Sequence, residues 1–333
     1  MSGGQLGWGI VGLGRIATNA IAPAVTTAPN STLAGVVSRD AAKAKEFADR
    51  FGAAAAYDDY AALLADPAVD VVYLATPNGM HADQVVAAAE AGKHVLCDKP
   101  LATSVADAER AVAACADAGV RLGITFQTRR HEGMDHIRQV LADGEIGEVR
   151  LVELQVSAGR MLPGGWRLEP GLAGAGVMNN FGVHAYDLLR YLLDAEVTEA
   201  TAMVDMEEGF EVDTASMALL RFDNGALAYV NANQTVPGPQ PNLTIYGTEG
   251  TVVGRNVARP DLQGHISVTG RSGSTERDVD TSGSYLATVA AFADAVLAGE
   301  DPSPSGTDGL RSVQLIDALT TSVREQRQVR LGG

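Results

Sequence analysis

The first part of the chain alternates short apolar runs with longer stretches of helical periodicity. Short apolar runs of this kind are typical of strands buried on both faces of a parallel sheet. The predicted strands are Leu6 to Val11, Leu33 to Val37, Val69 to Ala75, His94 to Cys97 and Arg121 to Thr125, with a weaker one near Ala54. This pattern predicts a parallel sheet with helices packed on its faces.

Helical segments occupy the sequence between these strands. The clearest are AAKAKEFADRF, ADQVVAAAEAG and SVADAERAVAACADAG. Gly92 and Gly119 stand where the last two of them end, and a helix C-terminus favours a residue that can adopt positive φ. The alternation of strand and helix therefore predicts a doubly wound (Rossmann) nucleotide-binding fold, of the α/β class.

From about residue 149 the pattern changes to strands joined by turns. The strand segments are VRLVELQVS, ASMALLRF, ALAYVNANQ, NLTIYGTEGTVVG and HISVTG. Between two of them, Asp223-Asn224-Gly225 is typical of a hairpin turn. Helices are predicted near residues 132–142, 182–193, 285–298 and 307–326, too few to cover more than one face of a sheet. We predict two domains, a nucleotide-binding α/β domain over residues 1–125 and an α+β domain over residues 126–333.

A glycine pattern follows the first strand. Gly12, Gly14 and Ala17 form G-x-G-x-x-A between a strand and a helix, with Arg15 and Ile16 inside the turn. Gly12 allows the tight turn, Gly14 the approach of a pyrophosphate, and Ala17 close packing of helix on strand. The alternative is a glycine-rich turn without a ligand, but strand, helix and spacing all agree with the dinucleotide fingerprint.

The end of the second strand indicates which dinucleotide binds. A carboxylate there accepts hydrogen bonds from the adenosine ribose, whereas an arginine accommodates a 2′-phosphate. Ser38 occupies the place of the carboxylate, and Arg39 and Lys43 add two cations, so the sequence favours NADP over NAD. Asp40, a short polar residue before a helical run, is predicted to cap that helix. The alternative is that Arg39 and Lys43 are solvated cations on a surface helix.

Composition excludes several classes of partner. The chain is 46% hydrophobic and 20% charged, and its net charge of -16 repels nucleic-acid phosphates and anionic lipid. No apolar segment reaches the roughly 18 residues that a membrane span needs, and no secretory leader is recognisable, so we expect a cytoplasmic protein. The two cysteines, Cys97 and Cys115, lie in apolar stretches, which predicts buried free thiols and no metal site.

Two motifs at strand ends carry a family resemblance. They are ATPNGMH at residues 75–81 and CDKPLATS at residues 97–104. The chain resembles the Gfo/Idh/MocA oxidoreductases, whose pattern includes a Pro-Asn-x-x-His turn and a Glu-Lys-Pro motif. GWRLEPGLAGAGVMNNFGVHAYDLLRYLL and IYGTEGTVVGRNV also resemble family segments, so the similarity extends over nearly the whole chain. Within the family, GWRLE, GTEG followed by GRNV, and PSPSGTDG are most similar to NADP-dependent 1,5-anhydrofructose reductases.

The resemblance implies which residues act at the site. It places five residues of the first domain at the cofactor: Thr76, Asn78, His81, Asp98 and Lys99. Lys99 and His184 are implied to be catalytic and to contact the substrate. Asn180 joins them, but it stands where most members carry an aspartate, and an amide positions without titrating. Asp98 likewise replaces the usual glutamate, and Ala175 interrupts a glycine triplet.

The chemistry of a sugar oxidoreductase agrees with these roles. Hydride transfer to a carbonyl leaves charge on its oxygen, so the site needs a donating group there and a source of one proton. Lys99 suits the first need and His184 the second. A cis bond between Lys99 and Pro100 is predicted from the weak trans preference of X-Pro. Trp166 and Arg167 are candidate sugar contacts, although Trp166 could equally fill a core under its loop.

The sequence allows two roles for three residues that follow the sixth strand. Gln127, Arg129 and Arg130 could serve the site or only solvate a connection between the domains.

The family resemblance implies an NADP-dependent enzyme that acts on a hydroxyl or ketone of a sugar, anhydrosugar or cyclic polyol. Relatives also act as aldose 1-dehydrogenases, inositol dehydrogenases or dihydrodiol dehydrogenases, and some bind the dinucleotide as non-catalytic regulators. The family's second domain has a mostly antiparallel sheet whose open face packs against another subunit. The resemblance therefore implies that residues 126–333 form a substrate-binding and oligomerisation domain, in a homodimer or homotetramer.

Overall fold

The chain divides into two compact units. The computed structural model describes residues 4–157, 159–160, 164–238, 241–260 and 262–332. The first unit runs to Thr125 and includes Tyr285–Arg311, and the second comprises Phe126–Ser284 and the residues from Ser312 onward. Residues 285–311 belong to the first unit, whereas the sequence-based division at residue 125 placed them in the second.

The first unit is built on a six-stranded sheet with the order β3-β2-β1-β4-β5-β6. Its strands are β1 (Leu6–Val11), β2 (Ser31–Val37), β3 (Ala55–Tyr57), β4 (Val71–Leu74), β5 (His94–Cys97) and β6 (Leu122–Ile124). All neighbouring strands pair in parallel, which confirms the doubly wound fold. The helices between them are α1 (Ala22–Thr27), preceded by a π-helical turn Ala17–Ile21, α2 (Ala41–Phe51), α3 (Tyr60–Ala65), α4 (His81–Glu90) and α5 (Val105–Ala118).

The strand pairing brings four strand ends into one line. Val11 at the end of β1 pairs with both Val37 and Leu74. Cys97 at the end of β5 pairs with Leu74 on one side and with Ile124 on the other. The residues that follow these strands therefore emerge at the same edge of the sheet, as expected where parallel strands end together.

Helix α9 (Ser284–Ala298) packs on the first unit. The ring of Phe292 meets the ring of Trp8 edge-on, with 5.8 Å between centroids, and Val289 and Ala293 belong to the same core cluster. The expectation that this helix covers the sheet of the second domain is therefore wrong. Its strong apolar character identifies a buried helix but not the sheet that buries it, which explains the error.

The second unit has a nine-stranded sheet with the order β14-β13-β12-β11-β7-β10-β9-β8-β15. Its strands are β7 (Val149–Ser157), β8 (Val197–Asp205), β9 (Ala215–Phe222), β10 (Leu227–Asn233), β11 (Leu243–Gly247), β12 (Thr251–Arg255), β13 (Gln263–Gly270), β14 (Gly273–Asp280) and β15 (Val329–Arg330). Only β7 and β10 pair in parallel among these strands, so the mostly antiparallel sheet is confirmed. The hairpin between β9 and β10 also forms as predicted, with Gly225 at φ 88°.

The remaining helices are α6 (Glu132–Ala142), α7 (Pro170–Ala173), α8 (Val183–Leu193) and α10 (Gly306–Glu325). Helix α8 packs against β7 and α6 packs against α8. Ser322 of α10 lies 2.9 Å from the hydroxyl of Thr201 on β8. These contacts order the helices around the sheet of the second unit.

The central strands of this sheet differ sharply between their two faces. The side chains on one face are buried, and Val152, Ala218 and Val230 are among them. On the other face, a group of large apolar side chains is exposed, which we call the open face: Leu151, Met203, Met217, Leu219 and Leu227. Met203 pairs with Met217, and Leu227 pairs with Leu151, so these side chains form neighbouring rows.

Both cysteines are buried and unbridged, as the sequence predicted. In the part of the chain that the structure describes, no helix combines the length and the apolar character needed to cross a bilayer.

Candidate active site

The turn after β1 has the geometry of a dinucleotide fingerprint. Gly12 has φ 88°, and a Cβ there would lie 2.8 Å from the carbonyl oxygen of Ala75, so only glycine fits. Gly14 is exposed, and a Cβ at that position would meet no described atom within 4 Å. Because the protein itself leaves this space open, the glycine suits the approach of an external pyrophosphate. Arg15 is exposed beside it, Ile16 is half-buried and Ala17 is fully buried under the helix.

The segment after β2 carries two cationic side chains and one carboxylate, which is hydrogen-bonded to the backbone. Asp40 caps α2 as predicted, because its carboxylate accepts a hydrogen bond from the backbone N–H of Lys43 at 3.1 Å. The Ser38 hydroxyl accepts from the N–H of Asp40 at 3.3 Å. The side chains of Arg39 and Lys43 are exposed at this edge of the sheet. The carboxylate that follows β2 is thus already used by the backbone of the helix.

A buried histidine, His81, contacts the backbone of the turn after β4. Thr76 donates its hydroxyl proton to the side-chain oxygen of Gln84, and Asn78 is buried in the turn. The His81 side chain has no exposed surface, and its two ring nitrogens lie 2.8 Å from the Pro100 carbonyl oxygen and 3.0 Å from that of Thr76. The family resemblance grouped His81 with the cofactor contacts. A side chain without accessible surface cannot touch a dinucleotide, so this residue supports the turn instead.

Lys99 follows β5 at the same edge. Its bond to Pro100 is cis, which confirms the prediction for that peptide. The Asp98 carboxylate accepts a hydrogen bond from the backbone N–H of Lys99 at 2.9 Å, and the Asp98 N–H donates to the carbonyl of Leu74 at 2.9 Å. Asp98 therefore shapes the turn locally, a role that its short side chain suits. Lys99 itself is half-buried.

The sheet arranges these segments in a functional order. Reading across it, Ser38 follows β2, Gly12 follows β1, Thr76 follows β4 and Lys99 follows β5. With roughly 4.8 Å between neighbouring strands, about 14 Å separates the cation pair at β2 from the lysine at β5. The glycine turn at Gly12 lies between them. An extended dinucleotide laid along this edge would have its adenosine end at β2 and its reactive end at β5.

In the second unit, Asn180 and His184 lie on one continuous helical segment. Asn180 belongs to a π-helical turn, Met178–Gly182, which leads directly into α8. Its side-chain amide donates to the side-chain oxygen of Gln234 at 3.4 Å. The His184 ring is half-buried and meets the ring of Phe126 edge-on at 6.3 Å.

The start of this segment is anchored by Asp213, which sequence reasoning missed. Its carboxylate accepts hydrogen bonds from the N–H groups of Gly176 at 2.6 Å and Met178 at 2.9 Å. Burial raises the pKa of Asp213, while these N–H groups act in the opposite direction. A Cβ at Gly176 would lie 2.1 Å from the Asp213 carbonyl oxygen, so a glycine is required there. An isolated aspartate before a strand gives no sequence signal for this role.

A buried ion pair holds α8 one turn beyond His184. The guanidinium of Arg129 donates to both carboxylate oxygens of Asp187, with Nε 2.7 Å from Oδ2. The two side chains are only 6% and 1% exposed. Arg129 also lies 4.8 Å from the ring centre of Tyr191, whose ring Arg138 contacts as well. Arg129 is therefore a structural residue of the second unit; Gln127 is buried too, and Arg130 is half-buried.

Trp166 and Arg167 are brought together in a 3₁₀ turn, Gly165–Leu168. The guanidinium carbon of Arg167 lies 4.3 Å from the ring centre of Trp166, which is half-buried. The stacked pair presents an apolar ring and hydrogen-bond donors side by side. Throughout the described residues, no group of three His, Cys, Asp or Glu side chains has an arrangement that could hold a metal ion.

Comparison with known proteins identifies the family. The model of the oxidoreductase family with an NAD-binding Rossmann fold matches residues 6–126, and that of the GFO/IDH/MocA C-terminal domain matches residues 134–253. The chain belongs to the GFO/IDH/MocA oxidoreductase family. It is therefore an oxidoreductase, and its first unit is an NAD(P)-binding domain.

Several relatives of this GFO/IDH/MocA oxidoreductase are similar over almost their full length. A 1,5-anhydro-D-fructose reductase of Ensifer adhaerens is 33% identical, over 92% of each chain. A D-xylose 1-dehydrogenase (NADP(+)) of Haloferax volcanii is also 33% identical, over 97% of this chain and 99% of the relative. The solved structure of an aldose-aldose oxidoreductase from Caulobacter crescentus, complexed with glycerol, has a TM-score of 0.91 at 29% identity, covering 98% of this chain and 100% of that one.

The buried ion pair gives a prediction about stability. Asp187→Ala leaves the Arg129 guanidinium buried without its carboxylate, so we expect a loss of about 3–5 kcal/mol in the free energy of unfolding. Urea unfolding followed by circular dichroism measures it. The double variant Arg129→Met with Asp187→Leu is the control, and it should recover most of the loss because no uncompensated charge remains. A double variant as unstable as Asp187→Ala would contradict this explanation.

Proposed function

We propose that the protein is an NADP-dependent oxidoreductase that transfers a hydride between the nicotinamide and a hydroxyl or ketone of a sugar, anhydrosugar or cyclic polyol. The observation that carries the proposal is the alignment of the glycine turn, the cation pair and Lys99 along one edge of the parallel sheet. The names of the relatives at 33% identity support the substrate class. A 1,5-anhydrofructose reductase-like activity is our first choice.

Several residues of the first unit would hold the dinucleotide. Gly12, Gly14, Arg15 and Ile16 would receive the pyrophosphate, where the open space beside Gly14 admits an anion. Ser38, Arg39 and Lys43 would receive the 2′-phosphate. Thr76, Asn78 and Asp98 belong to the two turns that would flank the nicotinamide. When bound, the nicotinamide supplies or accepts the hydride.

The protein's own side chains would manage the charge and the proton. Lys99 donates to the substrate oxygen and stabilises the negative charge that develops there during reduction. His184 supplies the proton in reduction and removes it in oxidation, since imidazole exchanges protons near neutral pH. Asn180 orients substrate or histidine by hydrogen bonding, with its own amide held by Gln234. Trp166 and Arg167 would contact the sugar, the ring through its face and the guanidinium through its donors.

Measurement of NAD(P)H absorbance tests this function directly. The enzyme is offered 1,5-anhydrosugars, aldoses and inositols with each dinucleotide. Preferred turnover of an anhydrosugar with NADP(H) supports the first choice. The xylose 1-dehydrogenase relative makes aldose oxidation the second candidate, and inositol or dihydrodiol oxidation are further alternatives within the same fold. Cofactor binding without turnover on any substrate of the panel would favour a non-catalytic NADP-binding regulator.

The cation pair predicts cofactor selectivity. Arg39→Ala should weaken NADP binding by about tenfold or more while NAD binding changes little, since only NADP carries the 2′-phosphate. Titration of both cofactors at fixed, low salt measures this, because salt screens an exposed contact. Arg50→Ala is the matched control, an arginine in the last turn of the same helix, α2. Equal losses for NADP and NAD in Arg39→Ala would rule out the 2′-phosphate assignment.

The role of Lys99 predicts a large loss of turnover. Lys99→Ala should lower kcat by about 10² to 10⁴, with NADP affinity nearly unchanged. Lys99→Arg should not restore it, because guanidinium differs in shape and stays protonated. Lys45→Ala, which removes an exposed lysine on α2, should remain as active as the unmodified enzyme. Full activity in Lys99→Ala would remove Lys99 from the proposed site.

We further propose that the open face binds a second copy of the chain, giving a homodimer or a tetramer built from such dimers. Met217 is 55% exposed and Leu219 is 57% exposed, although their strand, β9, is paired on both sides. Contiguous apolar surface of this kind favours association. Leu219→Glu should reduce the mass measured by light scattering, whereas Leu297→Glu, on the exposed side of α9, should not. An unchanged mass in Leu219→Glu would place the subunit contact elsewhere.

A further inference from the structure

One buried histidine links two of the segments that the proposed function depends on. His81 is the first residue of α4, and its side chain has no exposed surface. One ring nitrogen lies 2.8 Å from the carbonyl oxygen of Pro100, and the other lies 3.0 Å from that of Thr76. Thr76 is in the turn after β4 and Pro100 is in the segment after β5. These two strands are paired, Leu74 with Cys97, so the ring spans neighbouring loops at the functional edge of the sheet.

The Pro100 carbonyl connects the segment that carries Lys99 to His81. Proline has no N–H, so its carbonyl is the one backbone group through which Pro100 can form a conventional hydrogen bond. The N–H of Lys99 bonds to the carboxylate of the preceding residue, Asp98, which is a local contact. The contact with His81 instead restrains the segment against a different element of the unit. A restraint one residue from Lys99 fixes where the ammonium group is presented.

The chemistry of the ring suits a bridge between two carbonyls. A carbonyl oxygen only accepts, so each contact is a hydrogen bond only when that ring nitrogen carries a proton. Burial lowers the pKa of His81, while the two carbonyls and Asp98 act in the opposite direction and Lys99 adds to the lowering. The neutral ring therefore donates to one carbonyl at a time. The two loops therefore require a hydrogen-bond donor at residue 81, and they do not require a positive charge there.

We propose that His81 is a positioning residue that sets the location of Lys99 relative to the Thr76 turn, without contacting cofactor or substrate. This inference rests on the proposed catalytic role of Lys99. It differs from the family resemblance, which placed His81 among the cofactor contacts.

Two nearly isosteric variants separate the donor from the shape. His81→Gln keeps an N–H donor, whereas His81→Met has similar length and no donor. We expect kcat, measured at saturating NADPH, to fall about tenfold to 10²-fold in His81→Met. Small misplacements of a catalytic group have effects of this size. His81→Gln should stay within about threefold of the unmodified enzyme, since one carbonyl keeps its donor. Substrate KM and NADPH Kd should change by less than about threefold in both.

A double variant tests whether His81 acts through Lys99. The combination Lys99→Ala with His81→Met should turn over within about twofold of Lys99→Ala alone, because positioning an absent lysine has no effect. Crystal structures of the Met and Gln variants with NADPH give a readout that needs no substrate. They should show Lys99 displaced by about 1 Å relative to β4 in the Met variant only. If the Met variant does not fold, His81→Leu and His81→Asn form a second pair for the same comparison.

The possible failures are distinguishable. Equal kcat in the Met and Gln variants, together with an inactive Lys99→Ala, overturns the role of His81 alone. A loss in the Met variant that appears entirely as weaker NADPH binding also overturns it and restores His81 to the cofactor contacts. Full turnover of Lys99→Ala overturns the catalytic role of Lys99 within the proposed function, and this inference with it.

Discussion

The register of the parallel sheet is the constraint on which the first unit depends. Val11 pairs with Val37 and Leu74, and Leu74 pairs with Cys97, so the strands that carry the functional turns all end level with one another. Slipping one of these strands by a residue would exchange the side chains on its two buried faces and move its turn out of line. The positions of Gly12, Ser38, Lys99 and the turn at Thr76 are thus set by core packing. The turns need only provide the local chemistry.

Local bonds then adjust each turn. The carboxylates of Asp40 and Asp98 both accept hydrogen bonds from nearby backbone N–H groups, which shapes the turns. In the second unit, Asp213 does the same for the segment that leads to Asn180 and His184. The carboxylate oxygens of these acidic residues therefore accept hydrogen bonds from the backbone. That arrangement suits an acidic protein whose expected cofactor is itself an anion.

The predictability of each feature from sequence depends on how far its determinants lie apart. The strands of the first unit, the Asp40 cap and the hairpin at Gly225 follow from neighbouring residues, and sequence reasoning found them. The Arg129–Asp187 pair joins residues 58 positions apart, and the Asp213 anchor joins residues 35 and 37 apart, without any periodic pattern. His81 shows a third case. Its motif was recognised, but a motif gives no measure of burial, which decides whether a side chain contacts a ligand or supports the residue that does.

The packing of α9 has a consequence for how the chain is made. The core around Trp8 is completed by Val289, Phe292 and Ala293, which are synthesised after nearly the entire sheet of the second unit. During translation the surface that α9 covers on the first six strands therefore stays exposed until almost the whole polypeptide has left the ribosome. A unit of this kind cannot complete its core ahead of its neighbour, although domains generally fold as units in the order of synthesis. We therefore expect the nascent chain to be most prone to aggregation in the interval between synthesis of Thr125 and synthesis of α9.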